Sequence, residues 1–467
     1  MTATMIEPAP PRTRRRGALL GTVLAGQFMA ILDVSIVNVA APALKQDLNA
    51  SGSALQLIVA GYTIAYAMLL ITGARLGDLF GARRMFTTGL GLFTVASLAC
   101  GLAGDAGALI GFRLAQGAGA ALMVPQVLGV IQREFTGGAR ARALSLYAAV
   151  IAGGAVAGQV LGGVLVSADL FGTGWRPVFL VNVPVGVILL VAAVKLLPAQ
   201  QATAAAGTRR RRLDLAGVAT LSPAALLLVV PLVLGHENDW PLWGWLSMAA
   251  SVLVFGLFAV TQRRSADPLV SGRLLRYPGV LTAAAGIFML MASYAGFLFT
   301  QALHLQSSRG FSPLLAGVAF VPGAGAFAIA SLNWRRVPAR WHGLMIPAGL
   351  VLAAGCYALL GPATGHATHW YQLAPTGVGL ALGLGVAFTP MLNRGLRDVP
   401  VAEAGDAAGL LAMLTQLGQV IGVATVGSYY LTELRAEDGP AAMGSAGLAL
   451  AGVAAVAALF ALRLRRS

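Results

Sequence analysis

Apolar residues come in unbroken runs of about 20, one after another, from residue 18 almost to the end of the chain. A helix rises about 1.5 Å per residue, so a run of ~20 spans the ~30 Å hydrocarbon core of a bilayer. Fourteen such spans are predicted, near 18–41, 54–73, 85–104, 107–131, 143–166, 177–197, 214–235, 241–261, 279–302, 312–331, 343–361, 371–390, 407–431 and 442–462. In 467 residues this leaves short connections and no room for a water-soluble domain. Charged residues make up 10% and hydrophobic ones 57%, whereas soluble domains carry about 25% charged residues. A soluble fold and a disordered chain are excluded. The runs are continuous rather than alternating, which excludes a transmembrane β-barrel. The expected class is an all-α polytopic membrane protein.

The net charge of +15 is distributed as a topology signal. With fourteen spans, 27 of the 32 basic residues fall on one side, in clusters such as Arg14 to Arg16, Arg83 with Arg84, Arg209 to Arg212 and Arg335 with Arg336. Four (Lys45, Arg176, Arg309, Arg435) fall on the other side, and Arg113 lies within a span. Acidic residues divide eight and eight, with Asp33 inside the first span. Basic residues mark the cytoplasmic side, so both termini are expected in the cytoplasm and nucleic-acid binding is not expected. The first run is too long for a signal-peptide core and contains Asp33, so it is read as an uncleaved span. Arg outnumbers Lys 30 to 2, a composition typical of GC-rich bacteria. The expected location is therefore a bacterial cytoplasmic membrane, crossed many times, with the lipid bilayer as a partner.

Cys100 and Cys356 lie in apolar runs and read as buried small side chains. His236, His304, His342, His366 and His369 sit near span ends; His366-x-x-His369 has metal-compatible spacing, but an external loop accounts for it better. No metal and no cofactor are expected. An enzyme needs a reactive constellation and a receptor usually needs a soluble signalling domain; neither is visible, so the chain is not expected to be an enzyme.

Several motifs stand out. After the second span the chain reads Ala74-Arg75-Leu76-Gly77-Asp78-Leu79-Phe80-Gly81-Ala82-Arg83-Arg84. Asp78 can cap the next helix and suits its positive end, and Gly81 allows a tight turn. The fourth span carries Arg113-x-x-Gln116-Gly117-x-Gly119-Ala120, with residues 113, 116, 117 and 120 on one face. The first span contains Asp33-Val34-Ser35-Ile36-Val37-Asn38-Val39-Ala40-Ala41-Pro42. Further on come Trp175-Arg176-Pro177-Val178-Phe179-Leu180-Val181-Asn182-Val183-Pro184-Val185-Gly186 and Leu213-Asp214-Leu215-Ala216-Gly217. The fifth span has Gly154-x-x-x-Gly158-Gln159-x-x-Gly162-Gly163, a small-xxx-small spacing that lets helices approach closely.

Together these resemble the signatures of the major facilitator superfamily and, within it, of the fourteen-span drug:proton antiporters. The likeness is dense from residue 20 to 220 and thinner from 300 to 430. Ala74, Leu79 and Ala82 depart from the loop signature. Gln159 stands where the pattern has Pro, which removes a built-in kink. The resemblance implies two six-helix bundles with two inserted helices: 1–197, a linker and the two helices at 198–269, and 270–467. Each bundle would hold inverted three-helix repeats around a midplane cavity. It also implies a cytoplasmic charge latch built on Asp78, Gly81, Arg83 and Arg84. The matching loop in the second half has Trp334, Arg335, Arg336 and Arg340 but no acid, so the latch would belong mainly to the first half.

The implied function is proton-coupled efflux of drugs or secondary metabolites by alternating access. The alternative is export of an endogenous metabolite or lipid, with solute uptake less favoured. Asp33 and Arg113 are the Asp, Glu, Lys or Arg residues well inside the spans, each costing ~2.5–3.5 kcal/mol if left alone. Both lie ~10 Å below the outer surface at 1.5 Å per residue. The superfamily packs their helices together, so they are expected to face each other. Burial raises a carboxyl's proton affinity and a guanidinium lowers it. A group balanced between the two can exchange protons as access alternates, although a static structural ion pair is an open alternative. One proton entering through 100 mV releases ~2.3 kcal/mol and a pH unit adds ~1.4. The sum could hold a neutral solute at a gradient of roughly 500-fold. Candidate cavity residues are Gln27, Asn38, Tyr62, Tyr66, Gln116, Met123, Gln159, Asn182, Tyr294, Gln301 and Gln416, with packing as the alternative for each. Such a lining suits a small amphipathic substrate. The chain is expected to function as a monomer.

Overall fold

The computed structural model describes residues 11–198, 214–235, 239–265, 268, 272–277, 279–366, 368–400, 403–436 and 439–464. Among them all regular structure is helical. The first group is α1 (Pro11–Asp47), α2 (Gly52–Phe80), α3 (Ala82–Gly101), α4 (Ala106–Glu134), α5 (Gly137–Ala168), α6 (Pro177–Leu180) and α7 (Asn182–Leu196). A pair follows, α8 (Leu215–Leu234) and α9 (Leu242–Arg264). The last group is α10 (Val280–Leu303), α11 (Pro313–Asn333), α12 (His342–Ala358), α13 (Leu360–His366), α14 (Ala374–Arg397), α15 (Ala404–Ala436) and α16 (Gly439–Leu464). The expected linker at 199–212, including Arg209 to Arg212, lies outside the described residues.

Helix starts carry the side chains that satisfy free backbone N–H groups. Ser51 accepts from the Ala54 N–H at 3.1 Å, Asp105 from Ala108 at 2.9 Å and Ser312 from Leu315 at 3.3 Å. Gly81 joins α2 to α3 at φ 92°, a conformation that favours glycine. Gly81 also begins α3 and, as a glycine, offers no side-chain cap; the side chain of Asp78, expected to cap that helix, lies outside those described. Prolines break two of the predicted spans. Pro184 has no N–H to offer the Leu180 carbonyl four residues back, and α6 ends at Leu180; Pro362 stands in the same relation to Ala358, where α12 ends.

Twelve helical stretches among the described residues, with α6 and α7 counted as one, are long and apolar enough to cross a membrane, against fourteen predicted. The two predicted spans that fall short are those of α3 and α12. Helix α3 has 20 residues but opens on Arg83 and Arg84 and carries Thr87, Thr88 and three glycines, which dilute its hydropathy. Helix α12 stops at 17 residues because of the proline break.

Helices α1 to α7 pack among themselves, and so do α10 to α16. Lipid offers little hydrophobic drive for helix association, so close approach through small residues carries the packing. A Cβ added to Gly73 on α2 would sit 2.0 Å from the Ala121 carbonyl of α4. The last group repeats the device, with Gly422 of α15 at 1.9 Å from the Ala292 carbonyl of α10.

The two groups meet chiefly through α5 with α11 and α2 with α15. The bonds there lie toward the Arg-poor ends of the helices. Leu314 N–H donates to Ser167 Oγ at 3.1 Å, Gln306 Nε2 to the Val39 carbonyl at 3.0 Å, and Ser428 Oγ to Gln56 Oε1 at 3.2 Å. Helix α8 lies on this seam, its Leu232 carbonyl accepting from Ser428 Oγ at 2.9 Å. Helix α9 rests on α8 through Ser247 and Ser251, which donate to the Leu227 and Ala224 carbonyls at 2.8 and 2.7 Å. It exposes Trp243, Trp245, Leu246, Val252 and Leu253 outward, as a lipid-facing helix should.

Candidate functional site

Asp33 on α1 and Arg113 on α4 are both fully buried and in direct contact, Arg113 Nη1 donating to Asp33 Oδ2. The same nitrogen donates to Gln116 Oε1 at 2.6 Å, one turn along α4. Arg113 Nε donates to the Ile58 carbonyl of α2 at 3.1 Å. Two amides complete the carboxylate: Gln116 Nε2 donates to Oδ1 at 2.7 Å and Asn182 Nδ2 to the same oxygen at 2.9 Å. Gln116 Nε2 also donates to Ser97 Oγ of α3 at 2.8 Å, and the Cys100 thiol lies 3.9 Å from Gln116 Oε1. Five helices thus converge on one acid.

The local sequence explains the convergence. The proline break places Asn182 at the first residue of α7. On α5, Gly158 and Gly162 lie flat on α1: a Cβ on Gly158 would sit 2.6 Å from Ser35 Cβ, two residues beyond Asp33. A Cβ on Gly117 would strike the Tyr62 carbonyl at 2.1 Å, so α4 approaches α2 closely enough for Arg113 to reach Ile58. Arg113 Nη2 has no hydrogen-bond partner among the described residues. Its guanidinium instead lies over the rings of Tyr62 and Phe179, at 4.9 and 5.7 Å, and cation–π attraction strengthens when both groups are desolvated.

Beside this cluster, between the two groups of helices, is a cavity of about 560 Å³. Of the predicted cavity residues, Gln27, Asn38, Tyr62, Tyr66, Gln159, Tyr294, Gln301 and Gln416 line it. Gln116, Met123 and Asn182 do not. Gln116 and Asn182 bind Asp33 instead, and Met123 is buried in the core of the first group with Phe86 and Phe93. Sequence reasoning missed Tyr147, Thr364, Thr376, Thr415 and Gln419, which also line the cavity. Gln419 follows Gln416 by nearly one turn, a spacing that could have revealed it. Tyr62 belongs to both places: it lines the cavity, carries Arg113 on its ring and donates to the Ala30 carbonyl at 3.3 Å.

The gating-motif residues are scattered at the Arg-rich ends. Arg83 donates to the Val194 carbonyl of α7, Arg84 is exposed, and the side chain of Asp78 lies outside those described. Arg75, which the structure places on α2 and not in a loop, donates to the Pro268 carbonyl beyond α9. Among the described residues no group of three or more His, Cys, Asp or Glu is placed to hold a metal.

A lipid-facing helical shell around a central cavity, with a dry ion pair beside it, defines a membrane transporter. Residues 23–423 match the family described as Major Facilitator Superfamily, and the chain belongs to it. It is 38% identical over 431 residues to the probable actinorhodin transporter of Streptomyces coelicolor, covering 90% of this chain and 73% of that one. It is 34% identical over 448 residues to the tetracenomycin C resistance and export protein of Streptomyces glaucescens (91% and 79%). It is 34% identical over 420 residues to the drug efflux pump JefA of Mycobacterium tuberculosis (89% and 80%). A crystal structure of the peptide transporter POT shares the fold at TM-score 0.66 and 18% identity, covering 96% of this chain and 95% of that one. So does a bacterial homologue of the human lysosomal transporter Spinster, at 0.67 and 16%, with 98% of both chains covered. The protein is a membrane transporter of this superfamily with drug- and antibiotic-export relatives, and not an enzyme.

Proposed function

We propose that the chain exports bulky amphipathic molecules from a bacterial cytoplasm in exchange for protons, as a monomer with no cofactor. Helix α3, and α12 continued by α13, cross the membrane with the other twelve, making fourteen spans. Residues 1–197 and 270–467 are the two six-helix bundles, and 198–269 hold the linker and inserted pair. The Arg-rich ends face the cytoplasm, with both termini there. The bonded seam at the Arg-poor ends is then the closed outer gate, and the cavity belongs to an inward-facing state. Asp78, Gly81, Arg83 and Arg84 form a latch that closes the cytoplasmic side in the opposite state.

One observation carries the coupling: the Asp33 carboxylate accepts from Arg113, Gln116 and Asn182, and all three are donors. A protonated carboxyl gains an O–H that must find an acceptor. A proton on Oδ2 removes the charge that strengthens the Arg113 bond to that oxygen. Proton uptake therefore loosens the hold on the guanidinium, and Tyr62, which lies under it, relays the change to the cavity wall.

The test is Asp33→Asn in inside-out vesicles. Gradient-driven accumulation of cargo should vanish, while gradient-independent exchange of labelled for unlabelled cargo persists. A static ion pair predicts that the two activities fall together, and unchanged accumulation removes Asp33 from the mechanism.

A further inference from the structure

The seam at the Arg-poor ends also holds a buried imidazole that the Asp33 cluster does not use. Past Leu303, α10 widens into a π-helical turn, His304–Ser308, where the Arg309 N–H reaches back five residues to the His304 carbonyl at 3.0 Å. Such turns are rare and recur at functional sites. This one serves both bundles. Gln306 Nε2 bonds the Val39 carbonyl of α1 at 3.0 Å, while the ring of His304, 0% exposed, lies against α15. Its Nδ1 meets the Tyr430 hydroxyl at 3.3 Å, and its Nε2 is buried without a hydrogen-bond partner. Gly439, the first residue of α16, closes over the turn: a Cβ there would lie 3.6 Å from His304 Cε1 and 2.6 Å from Ser308 Oγ. No acid is bonded to the ring among the described residues. Helix α11 has no titratable residue, and α16 has only Arg463 near its far end. On α15, Tyr430 is a neutral phenol and Glu433, three residues on, is partly exposed; Glu437 and Asp438 lie outside the described residues. At the near end of α1 are Lys45 and Asp47, and Asp47 is held by Trp175 and Arg176. Arg309, at the end of the turn, is itself positive. An imidazolium would bring a second N–H and an uncompensated charge into this place.

We propose that His304 is a second proton-binding site of this transporter, unprotonated while the seam is closed and protonated once the seam opens to the outside. The inference rests on the reading of that seam as the outer gate. A ligand that binds one of two states shifts the balance toward it, so a proton taken up from outside holds the gate open. The turn that carries His304 also carries Gln306, so hydration of the ring and loss of the Val39 bond go together. The proton on His304 gates; the one on Asp33 is carried.

The experiment uses the full-length protein in lipid nanodiscs, with Asp33→Asn so that this acid no longer titrates and with Cys100→Ala and Cys356→Ala. Spin labels on Leu102→Cys and Leu359→Cys, exposed positions at the Arg-poor ends of α3 and α12, report the separation of the bundles by pulsed electron paramagnetic resonance. A hydrated imidazole takes up its proton near pH 6.5, so acidification from about pH 8 to about pH 5.5 should raise the ratio of long to short distances roughly tenfold. His304→Gln and His304→Asn should each hold that ratio flat, and an unchanged short distance at the alkaline end shows that the variants fold. An acid response that survives both substitutions overturns the inference. A long distance present in the parent but indifferent to pH overturns it too, while leaving the gate reading standing. A short distance alone at both pH values, with Asp33 restored as well as replaced, removes the gate reading and this inference with it.

Discussion

Asp33 receives bonds from three side chains, and the cost of disturbing them depends on which partner is lost. Arg113→Leu leaves a carboxylate buried among donors with its counter-charge gone, and breaking such a pair by removing one partner costs about 3–5 kcal/mol. Asp33→Asn together with Arg113→Leu leaves no buried charge. The double variant should therefore unfold at a higher temperature in detergent than Arg113→Leu alone, and additive losses would refute the pairing as the source of the cost. Arg113→Lys should not restore coupling. The guanidinium serves Asp33, Gln116 and the Ile58 carbonyl from a planar fork that an ammonium cannot reproduce. The acid and the base were legible in the sequence because a charge within an apolar run demands a partner. Ser97 and the Ile58 carbonyl were not. A serine in a helix ordinarily bonds its own backbone, as Ser97 Oγ also does to Phe93 at 2.8 Å, and every residue has a carbonyl. The assignment of Gln116 and Asn182 to the cavity erred for a related reason: apolar surroundings identify a polar side chain as special without saying which neighbour it serves.

Helix α5 provides a test in which position on one helix decides the result. Gly158 faces α1 at contact distance, whereas Gly153 has open space where a Cβ would be. Gly158→Leu should push α5 off α1 beside Asp33, lowering stability by roughly 1–3 kcal/mol, the usual cost of overpacking, and stopping gradient-driven export. Gly153→Leu should leave both unchanged; equal damage from the two would mean that helix propensity, not approach to α1, is at stake. The glycine spacing on α5 was readable from sequence, and so were the run lengths that set most helix boundaries. The breaks at Leu180 and Ala358 were written in Pro184 and Pro362. They escape a hydropathy reading because proline inside an apolar run barely changes its mean.

The seam between the bundles makes a prediction of its own. Leu314 N–H already bonds Ser167 Oγ across it, so Ser167→Cys with Leu314→Cys should form a disulfide under oxidation. The cross-linked protein should be unable to open outward and should export nothing until a reductant is added. Native export rates with the bridge intact would mean that this seam is no gate. Two-bundle packing of this sort was legible only through a family likeness, since apolar runs carry no record of which helices meet. The described residues that line the cavity carry no charge, and this has a final consequence. If protons enter in exchange for cargo, as proposed, and neither the wall nor its guest carries charge, each proton admitted is an uncompensated current. The cycle is then electrogenic, and voltage across the membrane should sustain it even when pH is equal on both faces. Clamping that voltage to zero with a potassium ionophore would then stall it as surely as removing its acid.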